Sequence, residues 1–198
     1  MKERLLNWLC CPTCSAELTL EGAVRRGEEI EEGTLLCRSG HRFPIRKGIP
    51  RFVRNDGYAG NFSFEWQTHR KTQMDRFSGK TESRDKFRSQ MDVPLEWLKG
   101  KLVLDIGCGT GRFMDVALAH GAEMIGIDLS FAVDAARQNL GSEPKAHFIQ
   151  ANVFALPFKP DLFDLILGLA DRLSDVAGHL CFNRCMNKQL HHANQNKS

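Results

Sequence analysis

The pattern of apolar and polar positions in the second half of the chain alternates between two periods. Four apolar runs have the length and composition of buried strands: KLVLDI, EMIGID, AHFIQA and FDLILGL. After the first run, a helical spacing of i, i+3, i+4 and i+7 links Phe113, Val116, Ala117 and His120. We predict that Gly121 ends this helix, and that Ser130 and Gly141 begin and end the next one. Alternating strands and helices predict an α/β domain with a parallel sheet.

The first half of the chain has a different character. The segment EGAVRRGEEIEEG is typical of an acidic hairpin, and FPIRKGIPRFV contains short β-like runs bounded by prolines and a glycine. A polar segment with interspersed aromatic side chains follows, and Pro94 and Gly100 bound one predicted short helix within it. We therefore predict a small β-rich domain at 1–54, a connector at 55–100, the α/β domain at 101–168 and an atypical tail at 169–198.

Composition and charge narrow the class of protein without naming a function. The chain has 198 residues, of which 42% are hydrophobic and 26% charged, which describes an ordinary globular protein. Its net charge of +3 permits an anionic partner but does not imply one. No apolar run approaches the roughly 20 residues of a membrane span, and LLNWL is too short for the core of a secretion signal. Seven cysteines are an odd number, which favours free thiolates in a reducing, cytoplasmic protein.

Three cysteines and a histidine near the N-terminus have the spacing of a metal site. The four residues are Cys11, Cys14, Cys37 and His41. Thiolate and imidazole ligands in the pattern C-x2-C and C-x3-H suit tetrahedral Zn²⁺, which would also stabilise a domain too small to bury a large core. Four protein ligands leave no open position, so we predict a structural zinc. The alternative is that the cysteines are small buried side chains. Cys10 competes with Cys11, but Pro12 favours the turn that starts at Cys11.

A glycine-rich turn joins the first strand of the α/β domain to its first helix. The strand ends in Asp105, and three alternating glycines follow: Gly107, Gly109 and Gly111. The next strand ends in Asp128, 17 residues after Gly111. A tight turn at a helix N-terminus, followed by a strand-end carboxylate, predicts a pocket that holds a nucleoside ribose. A dinucleotide fingerprint needs a small residue where Arg112 stands, so a nicotinamide cofactor is disfavoured.

The segment DIGCGTG and the residues after it resemble the first half of a class I S-adenosylmethionine (SAM)-dependent methyltransferase. The resemblance implies a Rossmann-like sheet, of which this chain has strands one to four, and SAM as the cofactor. It implies that Asp105 holds the amino group of SAM, that Asp128 binds both ribose hydroxyls and that Leu129 lies beside the adenine. Asn152 stands where relatives usually have an aspartate at the adenine amino group, and the Val153 N–H would donate to the ring. The implied cofactor-binding residues are Asp105, Gly107, Cys108, Gly109, Gly111, Asp128, Leu129, Asn152 and Val153.

The motifs CPTC, CRSGH and FPIRKGIPRF resemble the small zinc ribbon at the N-terminus of several bacterial methyltransferases. The bacterial 23S rRNA guanine methyltransferases have a similar Cys3His ribbon before their SAM domain. Many relatives have C-x-x-C in the second half of the motif. Here Gly40 takes the place of the last cysteine, so His41 has to be the fourth ligand. The resemblance implies a zinc-ribbon domain at 1–54 and a segment in 55–100 that caps SAM. We expect zinc loss to unfold the ribbon and leave the SAM site largely intact.

These features predict a SAM-dependent methyltransferase that acts on a small metabolite, with RNA as the second choice. Methyl transfer is an in-line displacement that depends on alignment. No residue stands out as a general base, and Asp171 and His179 are better explained as surface residues. A set of basic residues suggests guidance of RNA, with a solvated face as the alternative: Arg42, Arg46, Lys47, Arg51, Arg54, Arg70, Lys71, Arg76 and Lys80. The rival interpretation is a non-catalytic SAM-binding or partner-docking protein.

The segment after the fourth strand departs from the family pattern. A complete class I sheet has further strands beyond the fourth, so we expect a C-terminally truncated or divergent domain that alone methylates poorly or not at all. An exposed fourth strand with an apolar face predicts self-association through that strand. The tail also contains residues of metal-binding type, with a frayed end as the alternative explanation: Cys181, Cys185, His191 and His192.

Overall fold

A computed structural model gives the fold, and it describes residues 1–53, 74–91 and 93–168. Several residues singled out above lie outside these ranges: Arg54, Arg70, Lys71, Asp171, His179, Cys181, Cys185, His191 and His192. The expectations for the tail, and for the part of the capping segment before residue 74, therefore stay predictions.

The N-terminal part folds into a four-stranded antiparallel sheet whose strands lie in chain order. A 3₁₀ helix at Glu3–Asn7 precedes the strands β1 (Leu18–Arg26), β2 (Glu29–Cys37), β3 (Arg42–Arg46) and β4 (Ile49–Pro50). The predicted acidic hairpin is confirmed, because β1 and β2 pair antiparallel along their length. Gly27 lies at its turn with a φ of +61°, a conformation that glycine adopts at little cost.

The described part of the connector is helical. It contains α1 (Asp75–Ser78), α2 (Glu82–Gln90) and a 3₁₀ helix at Leu95–Leu98. The Asp75 carboxylate accepts hydrogen bonds of 2.9 Å from the backbone N–H groups of Ser83 and Arg84, which have no partner within the first turn of a helix. The helix predicted between Pro94 and Gly100 is confirmed, as a single 3₁₀ turn.

The second half of the chain forms a parallel sheet with helices between its strands. The strands are β5 (Leu102–Ile106), β6 (Glu123–Asp128), β7 (Ala146–Gln150) and β8 (Leu165–Gly168), and the helices are α3 (Arg112–Ala119) and α4 (Ala132–Leu140). All four predicted strands are confirmed. Their spatial order is β7-β6-β5-β8, so the glycine-rich turn after β5 lies at the centre of the sheet's carboxyl edge.

Helix α3 differs in detail from the predicted apolar face. Met114 and Ala117 are completely buried against the sheet. Phe113 is only partly buried, and its ring packs edge-on against Phe87 of α2 with 6.0 Å between the centroids. Gly121, with a φ of +86°, lies just beyond the end of the helix as predicted.

Helix α4 begins differently from the prediction. Phe131, not Ser130, occupies the cap position, and the helix runs from Ala132 to Leu140. The Ser130 hydroxyl donates to the Asp128 carboxylate (2.7 Å) and accepts a hydrogen bond from the Ala132 N–H (3.2 Å). Ser130 therefore ties the strand-end carboxylate to the helix start.

Different parts of the chain cover the two faces of the parallel sheet. Helices α3 and α4 pack on one face, where the buried strand residues are Val103, Met124, Ala146, Phe148, Leu165 and Leu167. The N-terminal part packs on the other face, in one cluster with Leu104, Ile106, Ile125, Ile127 and Ile149. Its contribution to that cluster is Met1, Leu5, Leu9, Ile30, Leu35 and Ile45. Because unfolding the ribbon would expose one face of the sheet, this shared core replaces the expectation that zinc loss leaves the SAM site intact with the prediction that both sites are lost.

Backbone hydrogen bonds join the two parts as well. The Cys10 N–H donates to the Pro157 carbonyl and the Lys159 N–H donates to the Trp8 carbonyl, both at 3.0 Å. The Phe52 N–H donates to the carbonyl of Gln150 at the end of β7 (2.8 Å). The chain leaving β4 thus covers the outer edge of β7 at this point.

Strand β8 forms the other edge of the sheet within the described residues. Its side chains are not an open apolar face, because Leu165 and Leu167 are 6% and 2% exposed and Ile166 packs against the core on the ribbon side. Since the side chains of β8 are covered, the predicted self-association could use only the backbone N–H and C=O groups along its outer edge. No helix in the ranges that the structure describes is long and apolar enough to cross a membrane.

Candidate metal centre and cofactor cleft

Two tight turns hold the predicted metal ligands. In the first, the Ser15 N–H donates to the Cys11 carbonyl (2.8 Å), and Ser15 adopts a positive φ of +56°. In the second, the Gly40 N–H donates to the Cys37 carbonyl (2.9 Å), and Gly40 has a φ of +83°. Strands β2 and β3 flank the second turn and place it opposite the first.

The structure brings all four predicted ligands together. The Cys37 Sγ lies 3.3 Å from His41 Nδ1 and 3.7 Å from Cys14 Sγ, and the Cys11 Sγ lies 3.5 Å from His41 Nδ1. All four ligand atoms lie within 4.8 Å of one another. Zn–S and Zn–N bonds of about 2.3 and 2.0 Å place neighbouring tetrahedral ligands roughly 3.5–3.8 Å apart, so the donor set and its spacing fit zinc. Cys10 is not part of the cluster, in agreement with the choice of Cys11.

The surroundings of Cys14 favour the thiolate that a metal needs. A hydrogen bond from the Ser39 hydroxyl, and then one from the Ala16 backbone N–H, lower the pKa of this thiol to about 6. Burial raises the pKa of the Cys10 thiol, which keeps that residue neutral beside the cluster.

The glycine-rich turn folds back from β5 onto β6. The N–H groups of Gly107 and Cys108 both donate to the Ile127 carbonyl, at 2.8 and 2.9 Å. All three glycines have left-handed φ values: +73° at Gly107, +53° at Gly109 and +89° at Gly111. A β carbon at Gly111 would come within 2.7 Å of Leu140 Cδ1, so this position requires glycine for space as well. The Cys108 side chain points into the core, which leaves its backbone to face the cleft.

Asp105 is a buried carboxylate at the centre of this edge, with 2% of its surface exposed. Burial, and then the nearby negative charge of Asp128, raise the pKa of its side chain to about 7. No hydrogen bond from the described residues stabilises its charged form. Such a carboxylate gains strongly from a cationic partner, which is what the ammonium group of SAM would supply.

Asp128, at the end of β6, is held in a fixed orientation. Its Oδ2 accepts a hydrogen bond from the Gly109 N–H (3.0 Å), and its Oδ1 accepts bonds from the N–H (2.8 Å) and hydroxyl (2.7 Å) of Ser130. A carboxylate has about four acceptor positions. Three of these positions are occupied, and the two hydroxyls of a ribose need two. The Ser130 hydroxyl therefore has to give up its hydrogen bond to Asp128 before both ribose hydroxyls can bind.

Two exposed apolar side chains flank the cleft after β6 and β7. Leu129 is 46% exposed and Phe154 is 65% exposed, unusual values for large apolar side chains beside a sheet edge. The Asn152 Oδ1, expected at the adenine, accepts a hydrogen bond from the Phe154 N–H (3.0 Å), so only one of its lone pairs is left for a ligand. Val153 follows Asn152 and packs partly into the ribbon-side core.

Several residues contact the predicted cofactor-binding set but were absent from it. Gln150 donates to Leu129, Ser130 donates to Asp128, and the Phe154 N–H donates to Asn152. Arg51 donates in turn to Gln150. The sequence singled out Arg51 only as one of the basic residues suggested to guide RNA, yet its side chain is 8% exposed and paired with Asp134 (2.8 Å). Arg76, also among the basic residues, pairs with Asp115 and Glu143. These two arginines stabilise the fold and are not free to bind RNA.

Comparison with known proteins assigns both parts of the chain. Residues 103–193 match the family profile described as a methyltransferase domain, and residues 2–48 match the profile described as Trm112p-like protein. Residues 103–193 thus correspond to a methyltransferase domain, and a Trm112p-like domain precedes it in the chain. The methyltransferase match runs past residue 168 and so includes part of the predicted tail.

Several methyltransferases are similar to part of this chain. The tRNA U34 carboxymethyltransferase of Proteus mirabilis (strain HI4320) is 35% identical over 95 residues, which are 45% of this chain and 29% of that protein. The O-methyltransferase rstn1 of Aspergillus nomiae is 36% identical over 75 residues, 35% of this chain and 33% of that protein. A SAM-dependent methyltransferase structure from Mesorhizobium loti has 30% identity over 42% of this chain and 37% of its own, with a TM-score of 0.37. The chain thus spans about a third of the length of the curated relatives it matches.

The family and the geometry together identify the two cofactors. The cofactor of the methyltransferase domain is SAM, since the carboxyl edge of β5 and β6 offers a glycine-rich turn and two carboxylates of matching type. The Cys3His cluster is a structural zinc site, because its four protein ligands complete a tetrahedron.

Proposed function

We propose that this protein binds SAM at the carboxyl edge of β5, β6 and β7 and transfers its methyl group to tRNA. The observation that carries the proposal is the pairing of two carboxylates around one glycine-rich turn. Asp105 is buried and accepts no hydrogen bond from the part of the chain that the structure describes, and Asp128 is half-buried and oriented by the turn itself. An ammonium group and a ribose diol are the two ligand groups that such carboxylates select.

Each part of SAM meets a different feature of the cleft. The Asp105 carboxylate holds the amino group, and the Asp128 carboxylate accepts the ribose hydroxyls. The adenine lies between Leu129 and Phe154, whose exposed apolar surfaces it buries. The Val153 N–H then donates to the adenine ring, and the free lone pair of the Asn152 carbonyl accepts from its amino group.

Bound SAM supplies a methyl group on a positively charged sulfur, which is already activated toward a nucleophile. The chain contributes by holding that methyl group in line with the acceptor atom and by excluding water. In the described ranges we identify no general base at the cleft, so alignment is the contribution that this part of the chain makes.

A tRNA acceptor is favoured by the relatives. Several proteins that match part of the chain carry the name tRNA U34 carboxymethyltransferase, and they come from different bacteria. This evidence reverses our initial order, in which a small metabolite came before RNA. A small-molecule acceptor is the second candidate, supported by the match to a protein named as an O-methyltransferase.

Equilibrium binding tests the cofactor assignment. We expect S-adenosylhomocysteine (SAH) to bind the full chain, and Asp128→Ala to weaken binding by about 1.5–3 kcal/mol, the value of hydrogen bonds to a charged group. Asp164→Ala is the matched control, since this aspartate lies at the opposite end of the sheet, where it accepts from the Leu102 N–H (2.9 Å). Failure of SAH to bind the unaltered chain would refute the assignment.

A second assay identifies the acceptor. The chain is incubated with labelled SAM and either total bacterial tRNA or a tRNA-free metabolite extract, and label in each fraction is compared. Label in tRNA that disappears with Asp128→Ala supports the proposal, and label only in the metabolites replaces tRNA by the second candidate. SAH binding without label in either fraction favours the non-catalytic alternative.

A further inference from the structure

The residue Arg51 lies where the chain passes from the zinc ribbon to the edge of the methyltransferase sheet. Its N–H donates to the Pro44 carbonyl of β3 (2.9 Å), and Arg51 pairs in parallel with Gln150 at the end of β7. The next N–H, from Phe52, donates to the Gln150 carbonyl (2.8 Å). The backbone of Arg51 is therefore fixed by both sheets at once.

The Arg51 guanidinium is buried and makes directed contacts. Its Nη1 and Nη2 donate to the two oxygens of the Asp134 carboxylate, at 2.9 and 2.8 Å, in the fork geometry that arginine forms with a carboxylate. The Nη1 also donates to the Gln150 Oε1 (3.1 Å). The guanidinium carbon lies 5.8 Å from the centre of the Phe131 ring.

Gln150 connects Arg51 to the loop that contains Leu129. Its side chain is buried, with 1% exposed. Because Arg51 occupies the carbonyl oxygen of the amide, the amide nitrogen is directed to the other side, where it donates to the Leu129 carbonyl (2.9 Å). Leu129 immediately follows Asp128. Arg51 thus reaches the cofactor loop in three places: at Leu129 through Gln150, at the Phe131 ring and at Asp134 in the following helix.

We infer that Arg51 is a positioning residue for SAM, by which the zinc ribbon fixes the loop that binds the adenosine half of the cofactor. The inference rests on the proposed cofactor site. Arg51 touches no ligand itself, and its effect is on the orientation of Asp128 and Leu129. Since those residues serve the ribose and the adenine, the effect is confined to that half of the ligand.

A matched pair of arginines separates positioning from simple stabilisation. Arg137 also joins the two parts of the chain, with ion pairs of 2.8 Å to Glu29 and Glu31, and it is largely buried. Within the described residues, no hydrogen bond or ion pair joins its side chain to the loop from Asp128 to Phe131. We expect Arg51→Met and Arg137→Met to lower thermal stability alike, whereas only Arg51→Met changes cofactor affinity.

The test measures the dissociation constants of SAH and of 5′-methylthioadenosine, which has the adenosine half but no amino-acid half. At a temperature where circular dichroism shows every variant folded, Arg51→Met should weaken both ligands by the same factor, roughly tenfold. Arg51→Lys, which keeps the charge but not the fork, should fall between Arg51→Met and the unaltered chain. Arg137→Met should leave both constants within roughly twofold.

A second variant keeps the test decisive if Arg51→Met fails to fold. Gln150→Met preserves the volume and the Arg51–Asp134 ion pair but removes the link to Leu129, so it should still weaken both ligands severalfold. Unchanged affinity in Arg51→Met or Gln150→Met, or an equal loss in Arg137→Met, overturns the inference. If the unaltered chain binds neither ligand, the proposed function has failed and the inference falls with it.

Discussion

The two faces of the parallel sheet are buried by unlike structures. Helices α3 and α4, which belong to the methyltransferase fold, cover the face that includes Met124. The zinc ribbon covers the face that includes Ile125, with side chains such as Leu5 and Ile30. Both faces are equally well buried, since Met124 and Ile125 are each 0% exposed. The ribbon therefore buries its face of the sheet as completely as the helices bury the other face.

This difference changes the meaning of the metal site. A zinc centre in a free-standing module would stabilise only that module. Here the metal holds together a layer whose removal exposes Leu104, Ile125 and Ile149 to water. We therefore expect zinc binding and SAM binding to be coupled through the shared core.

The largest expected effect is loss of both sites when one metal ligand is removed. Cys37→Ser should eliminate zinc and unfold the whole described structure, because the ribbon and the sheet share their core. Elemental analysis, circular dichroism and SAH binding should all report the loss. Cys10→Ser is the control, since Cys10 is buried but outside the cluster and should retain zinc. Normal SAH binding by a zinc-free Cys37→Ser protein would contradict the prediction, because it would show that the SAM site does not depend on the ribbon.

Neighbouring residues on β6 compare the faces directly. Met124→Ala and Ile125→Ala each remove a fully buried side chain, so each should lower the free energy of unfolding by about 2–5 kcal/mol. Urea unfolding measures both. A cost of under roughly 0.5 kcal/mol for Ile125→Ala, beside a normal cost for Met124→Ala, would mean that the ribbon is a loose cover.

The cofactor edge should titrate near neutral pH through Asp105. Its pKa of about 7 lies above that of an unfolded aspartate, so the native state holds the extra proton and stability falls as pH rises toward 7. Asp105→Asn should remove this slope in unfolding experiments between about pH 4 and 7, the range between the unfolded and the folded pKa. SAH should bind more tightly as pH rises through the same range, since its ammonium group pairs with the ionised carboxylate. If Asp105→Asn showed the same pH dependence of stability and SAH binding as the unaltered chain, Asp105 would not be the titrating group.

The smallest effect is expected at Ser130. Its hydroxyl occupies the Asp128 oxygen that a ribose hydroxyl needs, so Ser130→Ala removes a competitor as well as a support. We expect SAH affinity to change by no more than roughly 0.5 kcal/mol. A tenfold loss measured by calorimetry would instead assign the Ser130 hydroxyl a direct contact with the ligand.

The parts predicted correctly from the sequence are those encoded by neighbouring residues. The strand before Asp105, the glycine turn, and the C-x2-C and C-x3-H pairs each depend on spacing over a few positions. Parallel strands fully buried on both faces also give long apolar runs, which made β5 to β8 recognisable.

The contacts between the two parts were not predictable in this way. Arg51 resembles its basic neighbours in sequence, but its partners Asp134 and Gln150 lie 83 and 99 residues away. The segment LLNWL gave only a short apolar patch, and no local signal showed that Leu5 and Leu9 belong to the core of a distant sheet. A pattern along the chain cannot reveal which of two apolar surfaces will meet.

Thermal unfolding with two probes tests the coupling of zinc and SAM sites most directly. Zinc release is followed with a metal-sensitive dye and helix loss by circular dichroism, with and without SAH at about 100 times its dissociation constant. At this concentration the ligand stabilises the native state by about 2.7 kcal/mol. We predict that zinc and helix are lost at one temperature, and that SAH raises both midpoints equally. Zinc release at its own midpoint, unmoved by SAH, would contradict the shared core as the link between the two sites.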